Sequence, residues 1–428
     1  MKIKNFQELA SNDLRKTALQ IAEAGLEAID TEKIMKENIR LDGDKLFVKN
    51  KSFFLNKLGR IFVIGVGKCS LEAAAVLEDV LKERVFGGIV IDVHEGKELK
   101  KIKKYLGDHP FPSERNINAT KEIISLLADM KENDLVIFIV SGGGSTLLCQ
   151  PTNFTCNNEK QIMECLFKAG AEIEEINTIR KHISIARGGF LAKYAYPAQV
   201  VGLIFSDVPG DKTEFIASGP TVKDGTTISD ADRILDKYGI CEKCGFLKKS
   251  LTETPKDDKY FERVENILIV SNRIALDAMR KKSEEPGFSV KICSVCLSGE
   301  ARKVGEEIVN ELKKAPPKTV LLYGGETTVN VVGQGKGGRN QELALSALSF
   351  IGENEIIVSI ASDGKDNTKF AGALCDAIIK KKSEKLGLNA ENYLSNNDSL
   401  RFFEKIGDYI LTGDTGSNVS DLVIAIKN

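Results

Sequence analysis

The chain lacks an excess of either charge. Lys and Arg number 60 against 61 Asp and Glu in 428 residues, a net charge of −1, so nothing in the balance marks nucleic acid or an anionic membrane as a partner. Any functional charge must therefore be concentrated locally. Long apolar runs are missing too: the longest, Leu135–Val140, is far too short to span a bilayer. No signal peptide is evident. Residues 1–30 read instead as an amphipathic helix, which makes a cytoplasmic protein the expectation. Three histidines, scattered along the chain, are too few for a metal cluster, and no internal repeat or low-complexity block appears.

Nine cysteines, an odd number without an export signal, predict reduced thiols. Cys241/Cys244 and Cys293/Cys296 have metal-like spacing. Yet residues 288–297 read as a buried strand, whose alternation sends Cys293 and Cys296 to opposite faces, so small buried hydrophobes are expected rather than zinc ligands.

What is present is a recurring unit: a short β-branched run, a cluster of Gly, Ser or Asp, then a helical pattern. The runs fall at residues 60–66, 88–93, 134–140, 199–205, 266–270, 289–297, 319–323, 355–360 and 409–412. This is an α/β pattern with largely parallel strands, in which ligands gather outside the carboxyl ends of the strands. The length predicts two domains. A charged, Pro-containing segment at 252–259 places the boundary, giving domains 1–253 and 254–428 with a cleft between them. The tail after about residue 410 is expected to pack back on the first domain.

The richest stretch joins Gly333, Gly335, Gly337 and Gly338 to Lys336 and Arg339 and switches abruptly into a helix. Glycines permit φ > 0 and close approach of a ligand, and a helix start favours negative charge. Gly65-Val66-Gly67-Lys68 is not a P-loop, because Phe62 and Cys69 stand where glycine and Ser or Thr are needed. As a dinucleotide fingerprint it is imperfect, with Ser70 for the third glycine, although Asp92 ends the next strand at a suitable distance. It is either a tight turn or a lysine aimed at an anion. Ser141-Gly142-Gly143-Gly144-Ser145 offers successive N–H groups as an anion nest, or is a loop. Asp207 and Asp211, flanking Val208-Pro209-Gly210, suit Mg²⁺ capture through water, a base for a hydroxyl, or a plain turn; Asp363 and Glu326 stand in the same group. Arg180, Lys181, Arg187 and Lys193 could feed an anion site or form a solvated helix face.

Several of these segments together resemble a known family. Asn177-Thr178-Ile179-Arg180-Lys181-His182-Ile183-Ser184 with Arg187-Gly188-Gly189, Ser206-Asp207-Val208-Pro209-Gly210-Asp211 and Ile216-Ala217-Ser218-Gly219-Pro220-Thr221 resemble the N-terminal part of class II glycerate 2-kinases. Gly324-Gly325-Glu326-Thr327, Gly337-Gly338-Arg339-Asn340-Gln341-Glu342 and Thr415-Gly416-Ser417-Asn418-Val419 resemble their C-terminal MOFRL domain. The resemblance runs in order from about Arg60 to the end. It implies two α/β three-layer domains, a Rossmann-like one with a mainly parallel sheet and a smaller MOFRL one, with the active site in the cleft. It implies transfer of phosphoryl from ATP to the 2-hydroxyl of D-glycerate with Mg²⁺, and a monomer or homodimer that takes only small molecules.

By the same resemblance Lys68 and Arg339 are catalytic; Asp207 is the candidate to orient or deprotonate the hydroxyl, or to hold Mg²⁺ through water. Asp207 and Asp363 are the candidates for holding the metal. Ser141, Gly142, Gly143, Gly144, Ser145, Arg180, Asp211, Glu326 and Asn340 become expected substrate or phosphate contacts. Departures occur where relatives read Asp-Gly-Thr-Asp-Gly-Pro-Thr-Asp and this chain has residues 363–370 with Lys365 and Lys369, and where Asp414 replaces proline. A related hydroxy acid as substrate, an NAD(P)H-dependent hydroxypyruvate reductase and a non-catalytic sensor of sugar acids are the alternatives.

Overall fold

The structure, a computed structural model, describes residues 1–152, 155–208, 210–244 and 251–428. Pro209 of the 206–211 cluster lies outside the described residues, as does the side chain of Cys244. The chain forms two compact units. The parallel-sheet unit comprises Thr31–Ser206 and Asp211–Ile269, and the mixed-sheet unit comprises Met1–Asp30, Asp207–Gly210 and Val270–Asn428.

The parallel-sheet unit begins with an antiparallel meander of β1 (Ile39–Asp42), β2 (Lys45–Val48) and β3 (Lys51–Phe54). Its main sheet holds β4 (Ile61–Val66), β5 (Val85–Asp92), β6 (Ile102–Leu106), β7 (Leu135–Val140), β8 (Gln199–Phe205) and β9 (Val264–Val270). Their order is β6-β5-β4-β7-β8-β9, and the first five pair parallel. This is the doubly wound, Rossmann-like order, whose direction reverses between β4 and β7. Both of those strands are buried along their whole length, which is why they read as continuous apolar runs rather than alternating ones.

The mixed-sheet unit holds β10 (Ser289–Leu297), β11 (Thr319–Gly325), β12 (Glu355–Ala361), β13 (Gly372–Asp376), β14 (Tyr409–Ile410) and β15 (Asp421–Lys427), in the order β10-β11-β15-β12-β13-β14. Only β10 and β11 pair parallel; the remaining pairs are antiparallel. Two of these pairs come from β15, which returns from the end of the chain and inserts between β11 and β12 against their direction; the other two come from β13 and β14 running back beside β12 and β13.

The units divide the chain differently from the expected 253/254 boundary. The helix Asp13–Ala28, capped by the Asn12 side chain on Arg15 N, folds with the mixed-sheet unit. Arg15 is 2% exposed and donates two bonds to Asp376, at 2.6 and 2.9 Å, and one to Asp408 at 2.7 Å. A buried guanidinium with both carboxylates in residues 376–408 fixes this helix in that unit, since losing them would leave an uncompensated charge. Residues 254–269 go the other way because β9 extends the parallel sheet beside β8. The tail after 410 supplies the centre of the mixed sheet, while Lys4 N donates to Leu411 O at 2.7 Å.

Two smaller expectations also change. β10 is an edge strand with a half-exposed pattern, so Cys293 is partly exposed and Cys296 exposed rather than buried. Cys165 is disulfide-bonded, whereas seven other cysteines are free thiols; proximity in space, not spacing along the chain, decides such pairing. Among the described residues no helix is long and apolar enough to cross a membrane.

Candidate active site

The parallel-sheet unit brings Lys68 and the Ser141–Ser145 turn together at the point where the strand order reverses. β4 and β7 are neighbours, and their exits are tied by Ser141 N to Val66 O at 2.9 Å and Lys68 N to Gly142 O at 2.9 Å. Gly67, at φ 125°, leaves no room for a Cβ against Ser141. Gly143, at φ 81°, lies under the Lys68 side chain: a Cβ there would stand 3.2 Å from Lys68 Cγ and 3.4 Å from His109 Cδ2. Ser145 Oγ and Ser218 Oγ lie 2.9 Å apart, and Ser218 donates to Asn177 Oδ1 at 2.9 Å. Asn177 and Arg180 share the helix Ile173–His182, one turn apart and so on the same face.

The electrostatics of this corner are cationic. His109 is pushed down to about 4, first by burial and then by Lys68 and Arg180, so both cations act on the same ring. Arg180 is itself lowered to about 10 by burial and then by the Arg187 guanidinium. Arg187 is fully buried and paired with Glu159 at 2.6 Å. Among the described residues nothing hydrogen-bonds or ion-pairs with the Arg180 guanidinium. The one carboxylate acting on Arg180, Glu159, raises it only in part and is already bonded to Arg187, which makes Arg180 a candidate anion-binding group. Asp92, in contrast, is taken up: its carboxylate accepts from Leu71 N at 2.9 Å, Val93 N at 2.7 Å and His94 N at 3.1 Å. It caps the helix Ser70–Leu81 from within, which removes the group a dinucleotide ribose would need.

The glycine loop of the mixed-sheet unit does something other than expected. None of Gly333, Gly335, Gly337 and Gly338 has positive φ. Each would instead collide, given a Cβ, with Asn396, Asp398, Ser399 or Asp366. The loop N–H groups are occupied as well: Val332 N and Gly333 N donate to Asn397 Oδ1, Gln334 N to Asn396 Oδ1 and Lys336 N to Asp398 Oδ1. At the start of the helix Arg339–Ala347 the Asp366 carboxylate accepts from Asn340 N at 3.0 Å and Gln341 N at 2.8 Å. The chain's own carboxylate thus fills the helix-start anion position.

Its purpose is to mount Arg339. The guanidinium donates twice to Asp421, at 2.6 and 3.0 Å, and pairs with Glu326 at 2.8 Å. Asp421 is buried at 4% exposure and Glu326 is at 48%, so one carboxylate fixes the fork and the other sits where solvent can replace it. Burial raises Asp421 to about 6 against the opposing pull of Arg339, and the arginine is held above its ordinary value by Asp421, against burial, which lowers it. Asn340 is buried, donating to Asp366 at 3.2 Å and accepting from Ser359 at 2.6 Å, so its side chain serves this mounting.

Asp207 adjoins the same mounting. Its carbonyl accepts from Ser420 Oγ at 2.6 Å, and Ser420, next to Asp421, is held at φ 71°. Ser362 N donates to Ser420 O at 3.1 Å, which brings Asp363 to the same place. Asp211, at φ 54°, belongs to the parallel-sheet unit, so the Asp207/Asp211 pair is divided between the units. Lys365 pairs with Asp414 at 3.3 Å, and Lys369 with Glu404 at 3.4 Å. Two departures from the family pattern therefore answer each other. Beside Arg339 opens a cleft of about 1040 Å³ lined among others by Lys336, Val331, Lys369 and Leu400.

Sequence reasoning did not single out Asp421, Asp366 or Ser420. Their only signal is an Asp at the start of an apolar run and an Asp behind a Gly-Lys turn, and neither says which helix it will face. Comparison with known proteins supplies the rest. Residues 17–249 match a family model described as a domain of unknown function, DUF4147, and residues 319–421 match the MOFRL family. The glycerate 2-kinase of Pyrococcus horikoshii is 39% identical over 435 residues, covering 97% of this chain and 97% of its own.

The chain belongs to the glycerate 2-kinase family.

The D-glycerate 2-kinase of Thermotoga maritima is 37% identical over 96% of this chain and 98% of its own. The crystal structure of the glycerate kinase from Thermotoga maritima matches with a TM-score of 0.84 at 34% identity, covering 96% of this chain and 99% of that one. This glycerate 2-kinase family member is thus an enzyme, a kinase of α/β architecture that uses a nucleotide and a small-molecule acceptor.

Proposed function

We propose that the chain transfers the γ-phosphoryl of ATP to the 2-hydroxyl of D-glycerate, giving 2-phospho-D-glycerate and ADP. The observation that carries this reading is the near full-length identity to named glycerate 2-kinases, and the cations that such chemistry needs stand in built positions. Phosphoryl transfer relies on positioning and on neutralising charge on the transferring group. Lys68 and Arg339 supply that neutralisation. Arg339 keeps its buried bonds to Asp421 while the exposed Glu326 yields its place to a phosphoryl oxygen.

Arg180 and the N–H groups of residues 142–145 take the glycerate carboxylate. Asp207 accepts the 2-hydroxyl proton as that oxygen bonds to phosphorus and the bond from phosphorus to the ADP oxygen breaks. Asp211 flanks the acceptor as a polar neighbour. Among the described residues no group of three or more His, Cys, Asp or Glu could cage a metal. Mg²⁺ is usually held by one or two carboxylates together with substrate phosphates. Asp207 and Asp363, which share the surroundings of Ser420, would hold it, and the ion would neutralise phosphate charge.

The test is to follow ADP release from Mg-ATP with D-glycerate, and NADH loss with hydroxypyruvate, on the same preparation. ADP release that depends on glycerate, with phosphorus NMR placing the phosphate on the 2-oxygen, is the expected result. NADH oxidation without ADP release would replace the kinase by a reductase, a reading that the internal use of Asp92 disfavours.

A further inference from the structure

The cleft beside Arg339 lies wholly within the mixed-sheet unit, and its lining has an unusual division of chemistry. Its volume, about 1040 Å³, is far more than a three-carbon acid needs and suits a larger ligand. Most of its neutral polar groups are already engaged. Asn367 Nδ2 donates to Gly337 O at 3.0 Å, Thr328 Oγ1 to Gly299 O at 3.2 Å, and Thr368 Oγ1 accepts from Gln341 and Phe370. The carboxylates of the lining are paired within the chain, Glu326 with Arg339 and Glu404 with Lys369, which leaves cations and apolar surface for an anionic ligand to compete for.

The cations are Arg339, Lys369, which pairs with Glu404 at 3.4 Å, and Lys336, whose ammonium group has no ion-pair partner among the described residues. The apolar surface is Val331 and Leu400. Val331 and its neighbour Val332 are 72% and 69% exposed, yet their loop is fixed: Val332 N and Gly333 N both donate to Asn397 Oδ1, at 2.8 and 2.9 Å. Asn397 is in turn buried and donates to Asn330 O and Glu342. Of the two, Val331 lines the cleft, an exposed apolar residue on an anchored backbone that the apolar face of a ligand can cover. A polyhydroxy acid has no apolar face to offer it and would find few free hydrogen-bonding groups. A nucleotide has a flat, weakly hydrated base at one end and a polyanion at the other.

We infer that this cleft holds the nucleoside triphosphate donor, with Lys336 on the phosphate chain next to Arg339 and the base against Val331 and Leu400. The inference rests on the kinase reading for its choice of ligand. It makes Lys336 a residue of the donor site and Val331 its apolar wall.

Calorimetric titration of ATP, ADP and AMP into the full chain, its Val331→Ser variant and its Lys336→Ala variant tests it. Val331 is exposed and Lys336 unpaired, so neither change removes a core contact. Val331→Ser weakens all three nucleotides by a similar factor, on the order of threefold to fivefold for the lost apolar area. Lys336→Ala weakens ATP on the order of tenfold, ADP less and AMP hardly at all, following the number of phosphates that a charge-assisted bond can reach. Nucleotide affinities within twofold of the parent in both variants overturn the inference, as does a rise in the KM for D-glycerate with nucleotide affinity intact, which would give the cleft to the acceptor. If the parent binds nucleotides in this pattern but transfers no phosphoryl to glycerate, the kinase reading falls and the donor site stands. If it phosphorylates glycerate with both variants unaffected, the reverse holds.

Discussion

Two glycine turns carry cations in this molecule, and they are built on opposite plans. Around Gly67 and Gly143 the glycines are conformational, with φ of 125° and 81°, and they lay Lys68 over an open turn beside Arg180. Around Gly333–Gly338 the glycines are steric, letting the loop pack against residues 396–399 and Asp366. The first plan presents a cation over the turn itself; the second surrounds one guanidinium with carboxylates. A glycine-rich loop with a cation is therefore not one device. It displays charge where water and ligand can reach it, or it fixes the direction of a side chain whose charge is already balanced.

The comparison can be broken at several points. The largest effect is expected at Asp207. If its carboxylate takes the hydroxyl proton, Asp207→Asn lowers kcat by on the order of a hundredfold to ten-thousandfold, with the KM for ATP little changed. Full turnover in that variant would remove Asp207 from the chemistry. Next comes the mounted cation: Arg339→Ala should reduce kcat by on the order of a hundredfold or more. Arg339→Lys should do little better, because an ammonium cannot make the forked bond to Asp421; a lysine variant near parental activity would show that the fork is dispensable.

For the displayed cation the loss should appear in affinity. Arg180→Gln raises the KM for D-glycerate by on the order of tenfold to a hundredfold, the worth of one charge-assisted bond, and a change in the KM for ATP alone would assign Arg180 to the donor. Asp421 tests the mounting through pH. Its carboxyl, raised to about 6 by burial, is neutral at lower pH, so kcat/KM should fall as pH drops through about 6. Because the folded pKa lies above the unfolded one, Asp421 contributes stability present below about 4 that is lost as pH rises through about 6. Acid inactivation from this group is therefore not acid unfolding. Asp421→Asn, expected to cost about tenfold, or about 1.4 kcal/mol of barrier, should erase that limb, and an unchanged acid limb would assign it elsewhere.

The smallest effect is spectroscopic. His109, held near 4 by burial and then by Lys68 and Arg180, should titrate upward by a few tenths to about one unit when an anion screens the two cations. An NMR titration with and without D-glycerate reads this directly. No shift would separate Lys68 and Arg180 from the acceptor.

How much of this was legible beforehand depends on the element. β8 and β10 begin and end where their β-branched runs do, and β4 and β7 fall within one residue of theirs; β4, β7 and most of β8 are buried parallel strands, written as uninterrupted apolar segments, whereas the half-exposed edge strand β10 is legible through its β-branched residues. β13, Gly372-Ala373-Leu374-Cys375-Asp376, has no β-branched residue, and β6 hides between lysines on the sheet edge. In the site, Lys68 and the Ser141–Ser145 turn could be paired by the rule that strand ends face a cleft. Asp421 and Asp366 could not, since each acts on a helix start that lies 82 or 26 positions away.

The sequence by itself determined the α/β class, the places where turns of Gly, Ser and Asp follow strands, and the family, through ordered motifs whose spacing chance does not reproduce. Those are local properties, set by side-chain size, branching and backbone freedom. Tertiary structure alone decided that the first thirty residues belong with residues 270–428, through the buried Arg15 and its two aspartates. It also decided that β15 divides the mixed sheet, and that the glycine loop at 333–338 grips its own protein. Each depends on contacts between residues distant in sequence. Burial makes a charge choose its partner by distance in space, and the order of the chain carries no record of that distance.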